Sequence, residues 1–403
     1  MVASAHSPVM SPIRFSRRGN ALIGQEMFRV LERARVLEAQ GIEVLHLELG
    51  NPRLPPPEAA VTDAIGALQR LEVGYTYSAG HPSLRKAVAE LYGGANGRAL
   101  TEANVVISPA NLIINQFLDL VCDPGDSVVF FTPAFPTYWA AARHIGLNVL
   151  QVPLDPIDGF DLTHDDVSRA LELRPRAIIV NSANNPTGAV YGREVLDRLA
   201  RECDRLGIWL LSDETYGELS YGKEFYSLVG LDLPHVIIMS SFSKIFSVPG
   251  YRIGFLVADP VVAAKFTLSV STLISCLPIF TQIGCASGIR SISEYTANVR
   301  ARCDRITKWC NASMGQCASI RFPHPAAGFY YFIDISATGI DDMRFAERLL
   351  EEEHTAVTPG SCFGAAYGGF VRIAICGKEE DVRLGVTRLT DFVGKLQAER
   401  GVV

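Results

Sequence analysis

The sequence predicts an α/β protein: a large domain with a mostly parallel seven-stranded sheet flanked by helices, plus a smaller α+β domain built from both chain ends. Three observations predict it. Between about residues 104 and 258, short apolar runs alternate with helical stretches, the pattern of a parallel sheet covered on both faces. Each run ends in polar, Gly or Pro residues, and ligands of open α/β sheets gather beyond such strand ends. After about residue 291 the order changes to two strands, a helix, a strand and a closing helix, which reads as a second, smaller unit.

Size and charge narrow the class. The chain has 403 residues, 48% hydrophobic and 20% charged, with a net charge of −6. That length builds two or three domains, or one large domain with a satellite. Lys/Arg and Asp/Glu are mixed along the chain, which argues against a nucleic-acid footprint or a polybasic membrane patch. The nine cysteines form no CxxC pair and no paired His/Cys spacing, so they read as reduced thiols in a cytoplasm, with no metal. No apolar run approaches the roughly 20 residues of a spanning helix. The first 25 residues are basic and Ser-rich without an apolar h-region, so they read as a loose arm or a strap on a partner subunit.

In order, Ile23, Met27, Val30, Leu31, Ala34 and Leu37 share one helical face over 23–41, and Gly41 stops it. A short strand over 42–49 ends in Gly50-Asn51-Pro52. The Pro-rich 52–57 then forms a rigid crossing. It divides an arm and part of the small domain (1–53) from the large domain (54–290); the C-terminal small domain follows (291–403). Next come a helix at about 58–70, a loop at 74–80 with Tyr75 and Tyr77, and a helix at 82–92. The seven strands fall at about 104–107, 127–132, 147–152, 176–181, 208–212, 236–241 and 252–258. A helical region at 279–314 leads to the small unit. Its strands are expected near 317–322, 328–334 and 370–376, with helices at 341–353 and 379–398.

Chemistry concentrates at the strand ends. The run Val236 to Met239 breaks into Ser240, Ser241, Ser243 and a single Lys244, and Pro249-Gly250 turns the chain into a strand with Arg252 at its mouth. Burying an unpaired ammonium is costly. The placement suits an amine that sheds its proton and forms an imine with an aldehyde cofactor. Asp213, after the strand at 208–212, is placed to pair with a protonated ring nitrogen, as an aspartate does for pyridoxal phosphate (PLP). It suits an N-cap equally well. Tyr216 is placed to donate to a phenolic oxygen, as is Asn185 within Asn184-Asn185-Pro186-Thr187-Gly188, a sequence that also suits a plain turn. Phe135 is either a stacking ring or a core aromatic. Ser108, Ser241, Ser243 and Arg252 are candidate phosphate donors, joined by free N–H groups of a helix starting near Ala110 and Asn111. Arg372, a charge inside a strand pattern, suits either a substrate carboxylate or solvent.

Together these residues resemble the fold-type I PLP-dependent enzymes, in the class I/II aminotransferase family that includes aspartate aminotransferase. The resemblance runs from Gly50 to Arg372 and rests on Asn185-Pro186-Thr187-Gly188, Asp213-x-x-Tyr216 and Ser241-x-x-Lys244 with Arg252, in that order. It implies PLP as cofactor and Lys244 as the Schiff-base lysine and proton shuttle. Asp213 then pairs with the ring nitrogen, while Asn185 and Tyr216 bond the phenolic oxygen. Phe135 stacks on the ring, and Ser108, Ser241 and Arg252 hold the phosphate. Arg372 binds the substrate α-carboxylate, with Gly50 and Asn185 beside it. Tyr75 reaches the phosphate from the neighbouring subunit, which implies a homodimer with shared sites.

The implied reaction is transfer of an amino group between an amino acid and a 2-oxo acid. The alternative on the same residues is a PLP-dependent lyase or synthase that eliminates, replaces or cyclises. A PLP-dependent transcription regulator is disfavoured, because the first 50 residues are too short for a DNA-binding domain. Two features depart from the family pattern. Pro109 in Ser108-Pro109-Ala110-Asn111 removes a backbone donor from the phosphate loop. The stretch Leu268 to Gln282 carries no arginine, so an acidic substrate side chain lacks its usual partner there.

Overall fold

A computed structural model describes residues 13–20, 22–24 and 27–401. Most of the expected N-terminal arm lies outside the described residues; within it, Arg17–Asn20 makes one helical turn. The helix expected at 23–41 spans Met27–Ala39.

All seven expected strands form one sheet. Its order is Val105–Ile107, Gly254–Val257, Val236–Ser241, Trp209–Asp213, Ala177–Asn181, Ser127–Thr132 and Asn148–Pro153. Only Gly254–Val257 runs antiparallel to its neighbours; the other pairings are parallel. Helices cover both faces, so the central strands are buried throughout and read as continuous apolar runs rather than alternating ones. Register then does the positioning: Asn181 lies opposite Asp213, Asp213 opposite Met239, and Ser241 opposite Gly254. The polar residues that end these runs are thereby lined up along one edge.

The smaller part is α+β and is built from both chain ends. Tyr330–Asp334, Phe370–Ala374 and Thr358–Pro359 form an antiparallel sheet, and Leu45–His46 pairs in parallel with Thr355–Ala356. The core is correspondingly split. One cluster surrounds the large sheet, and a second, including Ile306, Leu349, Ile373 and Leu389, fills the smaller part. Among the described residues no helix is long and apolar enough to cross a membrane, and Cys122, Cys203, Cys276, Cys285, Cys303, Cys310, Cys317 and Cys376 are free.

Four expectations change. The strand near 317–322 reduces to one isolated bridge between Arg321 and Asp334, because Pro323 and Pro325 follow at once and interrupt any ladder. The strand at 42–49 shrinks to Leu45–His46. The region 279–314 is two helices, Ile279–Ile289 and Ile292–Met314. A further helix, Pro260–Ile274, was not expected; it is apolar on several faces, with Val261, Leu268 and Leu273 exposed, so no helical stripe stands out.

Candidate active site

A cavity of about 470 Å³ opens at the carboxyl ends of the central strands, within the range of small-molecule sites. Its wall includes Gly50, Ala110, Asn111, Phe135, Asn185, Asp213, Tyr216, Ser241, Ser243, Lys244, Arg252 and Arg372. Twelve of the fourteen residues picked from sequence therefore meet at one place.

Lys244 sits in the single helical turn Phe242–Ile245 that caps the strand Val236–Ser241, with the Ser241 hydroxyl accepting from the Ser243 N–H (3.3 Å). Its Nζ donates to the Gly50 carbonyl. Burial pushes its pKa down to about 8; the neighbouring Cys376 opposes this, and Arg372 and Arg252 add to it. The lowered pKa therefore leaves a sizeable minority of the amine in its reactive, neutral form near physiological pH.

Asp213 ends its strand fully enclosed. One carboxylate oxygen accepts from Tyr138 Oη (2.7 Å), and the other from the Thr215 N–H (3.1 Å) and hydroxyl (2.6 Å). Burial raises its pKa, while the Thr215 and Tyr138 hydrogen bonds hold it back. A buried anion so placed at a cavity wall suits a cationic partner in that cavity. Tyr138 was not picked from sequence; it lies one helical turn past Phe135, whose ring packs edge-on against it at 5.7 Å.

The opposite wall belongs to Arg372, whose side chain is fully buried. Nη1 donates to Asn185 Oδ1 (3.1 Å), and Nη2 donates to Thr358 Oγ1 (3.1 Å) and to the Glu48 carbonyl. Nε has no partner, and among the described residues no carboxylate pairs with the guanidinium. The group also lies over the Tyr330 ring, 4.4 Å from its centroid. Because arginine only donates, Asn185 must turn its oxygen to Arg372, which leaves its Nδ2 for the cavity.

Tyr330 joins the two walls. Its hydroxyl is 2.9 Å from that of Tyr216, and a Cβ on Gly50 would come within 1.8 Å of it. Sequence reasoning missed Tyr330, since nothing in a strand pattern marks an aromatic whose partners Gly50, Tyr216 and Arg372 come from separate segments.

Two candidates are not brought to the cavity. Ser108 is buried behind it: its hydroxyl donates to Gln116 (3.0 Å), and its N–H and carbonyl pair with Gly254. Ser108 is therefore not on the cavity wall, its hydroxyl being taken up by Gln116. Tyr75 lies on the loop after helix Glu58–Gln69, 90% exposed and away from this chain's own cavity. The phosphate-loop helix does begin at Ala110, after Pro109, so the N–H groups of Ala110 and Asn111 have no intrahelical acceptor. Arg252 projects nearby and forms no ion pair among the described residues; Nη1 donates to the Pro249 carbonyl (2.8 Å).

The family pattern of the class I and II aminotransferases matches residues 42–389. The chain belongs to that family. It is 30% identical over 382 residues to the aspartate aminotransferase of Thermotoga maritima, covering 94% of this chain and 99% of that one. It is 31% identical to the aspartate/prephenate aminotransferase of Thermus thermophilus, over 94% and 99% of the two chains. The solved structure of the T. thermophilus aspartate aminotransferase with maleate superposes with a TM-score of 0.88 at 30% identity, covering 94% of this chain and all of that one.

The aminotransferase is PLP-dependent, and its cavity fits that group. An enclosed carboxylate, an amine of lowered pKa and a planar aromatic lie on its wall. So do donors with room for an anion: the Arg252 guanidinium, the Ala110 and Asn111 N–H groups and Asn185 Nδ2.

Proposed function

We propose that this aminotransferase moves an amino group between an amino acid and a 2-oxo acid, with Lys244 holding the cofactor and moving the protons. The observation that carries the substrate side is Arg372: a buried guanidinium on the cavity wall, without a carboxylate partner and with Nε unpaired. Such a group is stabilised by a carboxylate brought in from outside.

Bound PLP supplies an aldehyde that captures the substrate's amine and a ring that withdraws electrons from the α carbon. The chain's residues do the rest. Lys244, whose lowered pKa leaves part of it neutral, would take the proton from the substrate's α carbon and carry it within the site. Asp213 keeps a proton on the ring nitrogen, so that the ring stays electron-withdrawing. Tyr216 and Asn185 Nδ2 bond the phenolic oxygen, and Phe135 stacks on the ring. Arg252, Ser241, Ser243 and the N–H groups of Ala110 and Asn111 hold the phosphate; Ser108 supports them from behind through Gln116. Arg372, with Asn185 and Gly50 beside it, holds the substrate's α-carboxylate.

Tyr75 reaches the phosphate of a second copy, which makes the working unit a homodimer; its exposure here is consistent with that role. We place the domain boundaries near residues 53 and 290, supported by the two core clusters, and the enzyme in a reducing cytoplasm, supported by free thiols such as Cys122, Cys203 and Cys285. Among the described residues the cations on the cavity wall are Lys244, Arg252 and Arg372, each with a role above, so an uncharged substrate side chain fits this wall better than an acidic one.

The test is spectroscopic. Amino acids added singly to the holoenzyme are expected to convert the bound cofactor to its pyridoxamine form, with neutral side chains ahead of aspartate and glutamate. A chain that converts with no donor, or consumes amino acids only by elimination, contradicts transamination.

A further inference from the structure

Glu48 is a costly residue for its position. Its side chain has no exposed surface, yet one carboxylate oxygen, Oε2, has no hydrogen-bond partner. Burying a carboxylate half-satisfied is expensive, and an apolar side chain would fill the same volume without that cost. The other oxygen, Oε1, meets His46 Nδ1 at 2.8 Å, and His46 Nε2 meets Glu38 Oε1 at 3.1 Å. The two carboxylates raise the His46 pKa to about 9, the Glu48 contact most strongly. At neutral pH the His46 ring is thus a cation, held between the Glu48 and Glu38 side chains.

What the relay spans is informative. Glu38 lies near the end of helix Met27–Ala39, whose first turn sends Phe28 to the cavity wall. At the other end, the backbone of residues 48–50 supplies two of the site's acceptors. The Glu48 carbonyl takes hydrogen bonds from Arg372 Nη2 and from Thr358 Oγ1 (2.7 Å), and the Gly50 carbonyl takes one from Lys244. That short stretch crosses between the two walls. The paired strand Leu45–His46 is only two residues long, so the ladder alone anchors it weakly.

We propose that Glu48 is a positioning residue for carboxylate binding: its side chain, tied through His46 to Glu38, holds the backbone of residues 48–50 in place against Arg372 and Lys244. The proposal rests on the reading of Arg372 as the carboxylate anchor. It predicts that damage to the relay weakens binding of the substrate carboxylate while the chemistry at Lys244 continues.

The experiment compares holoenzyme carrying E48Q, H46Q, E38Q, R372K and E48Q with R372K. For each, kcat and KM are measured for the best amino donor, together with the absorbance of the lysine-bound cofactor. E48Q is expected to raise KM about tenfold and change kcat less than about twofold, since a contact made equally in ground and transition states acts on KM. E38Q, at the exposed end, is expected to raise KM about twofold, with H46Q between them. The double variant is expected to raise KM by less than the product of its two singles, because both act through one contact. Cofactor absorbance stays as in the wild type. An unchanged KM in E48Q, or multiplicative effects in the double variant, overturns the proposal. If E48Q does not fold, unchanged KM in both H46Q and E38Q overturns it equally. If R372K raises KM while the relay variants do not, only the proposal falls. If R372K leaves KM unchanged, the anchor reading fails and takes the proposal with it.

Discussion

The two walls of the cavity are built in different ways. The wall with Asp213, Ser241 and Lys244 lies at, or one helical turn past, the ends of neighbouring strands in one sheet, so strand register sets much of its spacing. The wall with Arg372 draws on residues 48, 185, 330, 358 and 372, brought together by side-chain and carbonyl contacts among separate segments. The first is stiff because the large core surrounds it. The second is held chiefly by side-chain contacts, since its segments belong to two small sheets with strands two to five residues long. In the proposed function, cofactor chemistry, common to many substrates, falls to the first wall and substrate recognition to the second.

Variants on each wall sharpen this contrast. On the stiff wall, K244A is expected to lower kcat at least about a thousandfold, because it removes both the nucleophile and the proton carrier. D213N is expected to lower kcat by about a hundredfold or more while the Tyr138 and Thr215 contacts keep the fold, since it removes charge from a preorganised site. On the other wall, R372K is expected to raise KM about tenfold with little change in kcat, the planar fork being lost and the charge kept. Steady-state kinetics on a common donor separate the two patterns. Equal kcat losses on both walls would erase the contrast.

Smaller effects probe the seam. G50A forces a methyl group into the Tyr330 hydroxyl and is expected to destabilise the fold by about 1–3 kcal/mol, read from denaturant unfolding. His46 tests the relay by pH. Its folded pKa of about 9 lies above the ordinary 6.5, so its contribution is fully present below pH 6.5 and is lost as pH rises through about 9. Unfolding free energy is expected to fall over that window by about 1–2 kcal/mol more in the wild type than in H46Q, allowing for solvent at one edge of the ring.

The division between the walls also explains what was legible in the sequence. Lys244, Asp213 and Asn185 each follow a contiguous apolar strand, so a local pattern places them at the ligand edge. Arg372 was legible only as a charge inside a strand; its burial and its partners Asn185 and Glu48 come from 187 and 324 residues away. Tyr330 and Glu48 left no signal, because what marks them is burial and contact with other segments rather than a local pattern. Ser108 shows the converse: it stands in the expected place, but its hydroxyl is taken up by Gln116, off the cavity wall. The helix Pro260–Ile274 was hidden by apolar residues on its exposed side.

Borohydride reduction of the holoenzyme, followed by peptide mass mapping, is the most direct test of the central claim. The account predicts a pyridoxyl group on Lys244 and no such label in K244A. A label on any other lysine, or an unlabelled Lys244 in enzyme that turns over, would contradict it.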